Sequence, residues 1–327
     1  MRVLVTGGAG YIGSQTCKVL AESGHEPVVF DDLSQGHRWA VRWGDLVVGN
    51  IADGALLRRT MAGERIDAVI HFAGSANVGE SMQQPVKYFV DNTVGSMALL
   101  DAMMCAGVSR IVFSSTCATY GLPIRTPLDE AHPTAPLSPY GESKLAVEKA
   151  LRWLGLLNGL KWVALRYFNA AGADPDGMVG EVHEPETHLI PLALRAAAPG
   201  DYRLRIFGTD YPTPDGTAIR DYIHVADLAR AHVVALEMLE RDGLNDVVNL
   251  GSGKGVSVLE VVSAVERVTG SSVRRVAAPR REGDPPALVA DLSKARQLLS
   301  WMPQRSDLQT IVADAWRWQQ KMSALAG

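Results

Sequence analysis

The sequence predicts an α/β fold: a doubly wound parallel sheet with a smaller C-terminal domain. Three observations predict it. Short, β-branched, nearly unbroken apolar runs alternate with helix-length segments through the first half. The first of these runs leads straight into a glycine-rich turn. Near residue 170 the character changes, and residues 173–218 become rich in Pro, Gly and Asp.

In chain order the predicted strands are Arg2–Val5, Pro27–Phe30, Ala68–Phe72, Arg110–Phe113 and Trp162–Leu165. Unbroken hydrophobicity calls for cover on both faces, which helices on either side of a parallel sheet provide. Helices are predicted at Gln15–Glu22 and Ser96–Ala106. Another opens at Ser138-Pro139, where a hydroxyl can cap and a proline suits the first turn. The second half reads as loops with one helix near Pro191–Ala197. A strand at Asp246–Leu250 and helices near Val258–Thr269 and Leu308–Lys321 follow. The predicted domains are 1–170 and 171–327, with some later segments returning to the first. A ligand cleft is expected between them, at the carboxyl ends of the strands.

Composition excludes several classes. With 327 residues, 47% of them hydrophobic, the chain can bury a large core. A formal net charge of −4 gives no basic excess for nucleic acid or an anionic membrane. Cys17, Cys105 and Cys117 are odd in number and form no CxxC pair, which reads as reduced thiols in a cytoplasmic protein. No apolar run reaches the ~18 residues of a spanning helix. The opening MRVLVTGG reads as a strand and turn, not as a signal peptide.

The glycine turn is Gly7-Gly8-Ala9-Gly10-Tyr11-Ile12-Gly13. Gly7 permits the turn, Gly10 lets backbone approach a pyrophosphate, and Gly13 lets the next helix pack close. That helix would aim free N–H groups and its positive end at phosphates. Asp31 ends the second strand, eighteen residues past Gly13. A carboxylate there can accept from both ribose hydroxyls of NAD and would repel the 2′-phosphate of NADP. NAD is therefore the expected cofactor. Phe72-Ala73-Gly74 ends another strand and would carry the chain past it.

Tyr140 and Lys144 stand four apart in Ser138-Pro139-Tyr140-Gly141-Glu142-Ser143-Lys144, and so share a helix face. An ammonium beside a phenol favours the phenolate and predicts a lowered tyrosine pKa, giving a proton acceptor for a sugar hydroxyl. YxxxK is a common spacing by chance. Its place about 130 residues after the dinucleotide turn gives it meaning. Ser114, Ser115 and Thr116 end a strand in hydroxyls that can reach a reacting oxygen or merely cap a loop.

Over nearly its whole length the sequence resembles bacterial UDP-galactose (UDP-glucose) 4-epimerases of the extended short-chain dehydrogenase/reductase family. The matching runs include VTGGAGYIGS, HFAGSANVGES, SSTCATYG, SPYGESK, LRYFNAAGA, PETHLIP, IFGTDYPTPDGT, RDYIHVADLA, NLGSG and RREGDPPALVAD. The resemblance implies a Rossmann-type sheet, NAD held through each turnover, and a UDP-sugar epimerised through a 4-keto intermediate. It implies Tyr140 as base, Lys144 as its partner and ribose ligand, and Thr116 at the 4′-oxygen. Tyr11, Ile12, Asp31, Asp32, Phe72 and Phe168 fall at cofactor positions, and Asn92 matches an asparagine near the site. Asn169, His188, Leu189 and Tyr222 match substrate-lining positions. A homodimer through the long helices of the first domain is also implied.

The second half carries groups suited to a nucleotide sugar. Arg220 and Arg281 can neutralise a diphosphate with forked hydrogen bonds. Asp284 can accept from a ribose, and Phe207 offers an apolar wall to uracil. Four positions depart from the pattern. Asn50, before Ile51, stands where many members have an aspartate at the adenine. Ala76 replaces a lysine of some members, and His188 replaces an asparagine. Leu288 takes a place that is often tyrosine, which leaves room for an N-acetyl group or a different sugar.

Sugar-nucleotide 4,6-dehydratases share the fold, but need an Asp-Glu pair where this chain has Cys117-Ala118. A 4-epimerase of UDP-xylose/UDP-arabinose or of UDP-N-acetylhexosamines is the enzymatic rival that Leu288 keeps open. A catalytically silent NAD-binding regulator would have lost Tyr140 or Lys144, and both are present. His188 has no second histidine at an ordinary ligand spacing, so no metal is expected. The other histidines, His224 among them, read as structural.

Overall fold

A computed structural model describes residues 1–241, 244–281 and 283–326. Glu282, within the RREGDPPALVAD run, lies outside the described residues. The first half runs β1 (Arg2–Thr6), α1 (Tyr11–Glu22), β2 (Glu26–Asp31), β3 (Asp45–Val48), α2 (Gly54–Gly63), β4 (Ala68–His71), α3 (Val78–Gln83) and α4 (Pro85–Tyr88). A π-helical turn at Phe89–Val94 leads into α5 (Gly95–Ala106), then β5 (Arg110–Thr116), α6 (Pro139–Asn158) and β6 (Lys161–Tyr167). The second half runs β7 (Asn169–Ala171), α7 (Leu189–Ala197), β8 (Leu204–Phe207), β9 (Ile219–His224), α8 (Val225–Arg241) and β10 (Asn245–Leu250). After these come β11 (Gly255–Ser257), α9 (Val258–Thr269), β12 (Arg275–Ala278), β13 (Ala287–Leu288), α10 (Ser293–Leu299) and α11 (Leu308–Ala326).

Seven strands form one parallel sheet in the order β3-β2-β1-β4-β5-β6-β10. Period-two geometry divides each strand between two cores. Val3 and Val5 of β1 face one core with Leu20 of α1 and Leu228 and Leu236 of α8. Leu4, between them, faces the other with Leu57, Leu99, Met103 and Leu151 from α2, α5 and α6. Full burial of such a side chain contributes about 1.5–3 kcal/mol. Successive strands add to opposite edges from β1, so the order reverses between β1 and β4. A crevice opens there at the carboxyl ends.

The second lobe has its own core, where α7, α9 and α11 pack together beside β8. Two small sheets complete it: β8 pairs with β12, and β9 pairs with β7, β11 and β13. The chain does not change lobes once at residue 170. β10 pairs with β6, and α8 packs on α1, so α8 and β10 return to the first lobe. The loop reading of 173–218 misses β8, a four-residue strand whose exposure alternates and whose partner lies about 70 residues downstream. Among the described residues, no helix is long and apolar enough to cross a membrane.

Candidate active site

The glycine turn forms where β1 ends. Gly7 holds φ +72°, a conformation that disfavours any Cβ. A Cβ on Gly13 would stand 2.2 Å from the Gly7 carbonyl oxygen, so only glycine lets α1 sit this close. Gly10 caps α1 without a side-chain hydrogen bond, and the first turn holds no acidic residue. The helix therefore presents unpartnered N–H groups and its positive end on bare backbone, which fits a pyrophosphate.

Asp31 shapes this turn. Its carboxylate accepts from the Ala9 N–H at 3.0 Å and the Leu33 N–H at 2.8 Å, and burial raises its pKa. Two of its acceptor sites therefore organise the loop before any ribose arrives. Asp32 is more open. It accepts from the Ser34 hydroxyl at 2.6 Å and from the Asn50 amide at 2.8 Å, and so joins the ends of β2 and β3. The Asn50 amide thus serves as a neutral donor to this carboxylate.

From the turn, contact passes directly to the reacting end. A Cβ on Gly7 would be 2.7 Å from the Ala73 nitrogen. One on Gly74 (φ +148°) would be 2.6 Å from Asn92 Oδ1 and 3.6 Å from Lys144 Nζ. Asn92 sits in the π-helical turn, a device frequent at functional sites. Its amide donates to Ser143 Oγ at 2.9 Å, while its oxygen accepts from the Ser75 N–H at 2.7 Å. Asn92 thereby fixes the segment after β4 against α6.

Ser138 caps α6 through the Gly141 N–H, with Pro139 in the first turn, as the sequence predicts. Tyr140 and Lys144 follow one turn apart, 8% and 5% exposed. Lys144 Nζ donates to the Ser114 carbonyl at 3.1 Å and lies 5.1 Å from the centre of the Phe113 ring. Thr116, at the end of β5, accepts from the Ala118 N–H. The expected lowering of the phenol pKa is not what the structure gives. Burial raises the Tyr140 pKa well above the ordinary range, with Thr116 hydrogen bonding as a counterweight. Burial also pushes Lys144 down to about 8. Desolvation of both largely buried groups outweighs the attraction expected from their spacing.

Sequence reasoning missed two neighbours, Tyr88 and Tyr167. The Tyr88 ring stands edge-on to Tyr140, with centroids 6.3 Å apart. Ser114 and Tyr167 share a 2.6 Å hydrogen bond, and Tyr167 contributes to raising the Tyr140 pKa. A hydroxyl-rich strand end signals Ser114. Tyr88 and Tyr167 have no local signal, since the fold alone brings them here.

Other expected cofactor residues are held by the protein itself. The Tyr11 hydroxyl donates to the Gly172 carbonyl at 2.7 Å, tying α1 to the second lobe. Phe72 packs on the His232 ring, with centroids 4.6 Å apart. Ile12 leans on one core and Ile51 is buried in the other. Phe168 is buried with Tyr120, Leu128 and Ala290.

Asn169, Arg220, Tyr222 and Leu288 sit on the small sheet around β9, while Phe207 ends β8 and His188 and Leu189 stand at the start of α7. Leu288 is in register with Arg220, and Asn169 with Tyr222. The Arg220 guanidinium pairs with Asp284, and that of Arg281 lies 4.1 Å from the centre of the Phe207 ring. Arg220 acts electrostatically on Cys117, which places it near the residue after Thr116. Tyr222 is mostly enclosed in the second core, where Leu189 also packs. Asn169 donates to the Asp221 carbonyl at 3.0 Å.

His188 caps no N–H of α7, and the premise used to set aside a metal there fails. His183 lies beside it, with ring centroids 5.1 Å apart, and Glu181 and Glu186 complete a group of four. The ExHxxExH spacing that joins them is read along a loop, where helical ligand spacings do not apply. Burial opposes charge on His188, yet Glu181 and Glu186 push it up to about 10. His224 is structural, buried 3.1 Å from Asp314 Oδ2.

A model of the NAD dependent epimerase/dehydratase family matches residues 3–251. The UDP-glucose 4-epimerase of Halalkalibacterium halodurans is 49% identical over 321 residues, spanning 98% of this chain and 96% of that one. The crystal structure of UDP-glucose 4-epimerase from Brucella ovis in complex with NAD aligns with a TM-score of 0.95 and 53% identity, over 97% of each chain. That of the enzyme from Stenotrophomonas maltophila, with NAD and formylated UDP-arabinopyranose, aligns with a TM-score of 0.96 and 41% identity, over 99% of each.

Proposed function

The chain belongs to the NAD dependent epimerase/dehydratase family, and from that premise we propose that it interconverts UDP-glucose and UDP-galactose through a transient 4-keto sugar. One observation carries the reading. The open glycine turn lies beside the Ala73-Gly74 segment, and Gly74 lies beside Asn92 and Lys144, a path along which a dinucleotide gripped at Gly7–Gly13 would end near Tyr140, Lys144 and Thr116. When bound, oxidised NAD would supply a hydride acceptor for C4′ and a positive charge.

The chain's own residues do the rest. Tyr140 takes the proton of the 4′-hydroxyl and returns it on the way back. Lys144, fixed by Ser114, holds positive charge on the same face of α6 and donates to a ribose. Thr116 orients the 4′-oxygen. Asp31, Asp32 and Asn50 line the adenosine end. Arg220 and Arg281 neutralise the diphosphate, with Asp284 released from Arg220 to accept from the uridine ribose. Phe207 backs the uracil. Asn169, His188, Leu189, Tyr222 and Leu288 border the sugar, loosely enough for it to turn over.

The first lobe is accordingly the NAD half, with α8 and β10 returned to it, and the remainder of the second half is the UDP-sugar half. A homodimer in the cytoplasm completes the proposal. Trp153, Leu156 and Leu157 form an exposed apolar face on α6, with Val86 and Val94 exposed nearby in sequence to the π-helical turn. All three cysteines are free thiols. The test is a panel of UDP-hexoses and UDP-pentoses incubated with the purified chain and separated chromatographically. Interconversion of UDP-glucose and UDP-galactose is expected. NAD-loaded protein that isomerises none of them would overturn the reading.

A further inference from the structure

We propose that Glu181, His183, Glu186 and His188 form a closed site for one divalent cation of the zinc class, which clips the loop ahead of α7. Each residue offers one ligand atom, and all four atoms lie within 4.8 Å of one another. His188 Nδ1 is 2.8 Å from Glu181 Oε1 and 2.8 Å from Glu186 Oε1. His183 Nδ1 is 3.2 Å from Glu181 Oε1 and 3.8 Å from Glu186 Oε2. A tetrahedral zinc with bonds of ~2.0–2.1 Å sets its ligand atoms roughly 3.3 Å apart. The four contacts run from 2.8 to 3.8 Å, with His188 meeting one oxygen of Glu186 and His183 the other.

A second observation points to a shared target. His183 Nδ1 is buried and has no hydrogen-bond partner, although Glu181 Oε1 is only 3.2 Å away. The nitrogen is near the carboxylate but not aligned with it. That nitrogen faces Glu181 and Glu186 together, at 3.2 and 3.8 Å. Leaving such a nitrogen unpaired is costly, and a cation at the centre would remove that cost. The Glu181 side chain is 6% exposed, so its charge also needs a buried partner.

The loop is held independently of any cation. The Glu181 carbonyl accepts from Trp318 Nε1 at 3.1 Å, and the Val182 carbonyl lies 3.1 Å from His37 Nε2. The donor set selects the cation. Two imidazole nitrogens disfavour calcium and magnesium, which take oxygen, and suit zinc with two carboxylates. Four protein ligands close the shell, so the cation is structural and is not a Lewis acid for the sugar. Its place follows from the neighbours. The His183 ring meets Tyr11, the first residue of α1, edge-on at 6.4 Å, and His188 immediately precedes α7. The clip joins the region of the dinucleotide turn to the helix that begins the second lobe.

The rival is an ionic knot in which the two carboxylates hold both imidazoles protonated. The test uses the full chain, purified without a polyhistidine tag, stripped with a chelator and titrated with Zn2+ against a chromophoric competitor. One equivalent should bind per chain and raise the melting temperature, while Ca2+ and Mg2+ should do neither. His183→Gln and Glu186→Gln should each weaken zinc binding by at least about tenfold. Should either variant fail to fold, anomalous scattering at the zinc edge from wild-type crystals should place a peak among the four side chains. Equal zinc affinity in wild type and a folded His183→Gln, or no stoichiometric zinc in wild type, leaves the ionic knot and overturns the site.

Discussion

The Lys144 ammonium donates a 3.1 Å hydrogen bond to the main-chain carbonyl of Ser114. That bond ties α6 to the carboxyl end of β5, two residues before Thr116. It replaces only part of the water the ammonium has lost, and burial pushes the lysine down to about 8. The same burial keeps the Tyr140 phenol protonated. The pair is therefore poised and not pre-ionised: the phenol awaits added positive charge, and the amine stands close to its own titration.

A pH dependence of stability follows. Unfolded lysine titrates near ~10.4, while folded Lys144 titrates at about 8. Between these values the unfolded state binds more protons, so stability rises with pH. The cost is fully present below about 8 and disappears by ~10.4, amounting to about 3 kcal/mol. Lys144→Met should therefore be more stable than wild type at pH 7, with the gap closing as pH approaches ~10.4. Tryptophan-detected urea midpoints across that range check it. A gap that grows with pH would refute the assigned shift.

Tyr140→Phe removes one oxygen and keeps the ring against Tyr88. The glycine turn is untouched, so NAD should remain bound at wild-type stoichiometry. Turnover should fall by ~10²–10⁴-fold, the usual contribution of a positioned acid–base group. Cofactor released on denaturation and the initial rate with UDP-galactose give the two readings. Near-normal turnover would remove Tyr140 from the role of base.

How much of this was legible beforehand depends on the range of the interaction. β1, α1 and the Ser138 cap are written locally, in unbroken apolar residues, glycine spacing and a Ser-Pro pair; the strand and the cap form where expected, while α1 begins at Tyr11, four residues ahead of the predicted Gln15. The return of β10 to the first sheet depends on pairing with β6 about 80 residues earlier, which no local pattern encodes. The sign of the Tyr140 shift was misjudged because spacing reveals the lysine, while only packing reveals how dry the pair is. The histidine–glutamate group was missed because its ligands lie along a loop without helical or strand periodicity.

Gly13→Ala would place a Cβ 2.2 Å from the Gly7 carbonyl oxygen, and its nearest neighbours are all main chain of Gly7 and Gly8, with nothing flexible to yield. The turn must open, at a cost of about 1–3 kcal/mol for overpacking. NAD content should fall with it. Gly63→Ala is the matched control, since a Cβ there meets nothing within 4 Å and ends α2 in open space. It should be neutral or stabilising by up to about 1 kcal/mol. Thermal melts and bound-NAD ratios of the two variants check the contrast, and equal losses would show that the turn is not specially crowded.

Glu148 is the acceptor at the centre of a buried network beneath the active strand. Its Oε1 accepts from Ser115 Oγ at 2.5 Å and Arg166 Nε at 2.9 Å, and its Oε2 from Arg166 Nη2 at 2.5 Å. Glu148→Gln leaves the guanidinium uncompensated over the Tyr120 ring, and should destabilise by about 3–5 kcal/mol. The double variant Glu148→Met/Arg166→Met should recover much of that loss, because no charge is then buried alone. Denaturant unfolding of the three proteins tests this. A double variant no better than the single would mean that the ion pair itself, and not the stranded charge, carries the stability.

Leu288 lies in register with Arg220 on β13 and packs beside Tyr120, Phe168 and Ala290. It therefore sits between the arginine assigned to the diphosphate and the cluster behind the strand end that bears Thr116. A leucine there leaves space that a phenol would fill, and an N-acetyl group on the sugar is a substituent of about that size. Leu288→Tyr should keep activity on UDP-galactose. It should lower the rate on UDP-N-acetylgalactosamine relative to it by at least about tenfold, the discrimination that loss of one or two heavy atoms of pocket can give. Paired kcat/KM measurements on the two sugars decide it. An unchanged ratio would move the wall that reads the sugar's 2-substituent away from β13 and toward α7, where Leu189 begins the helix.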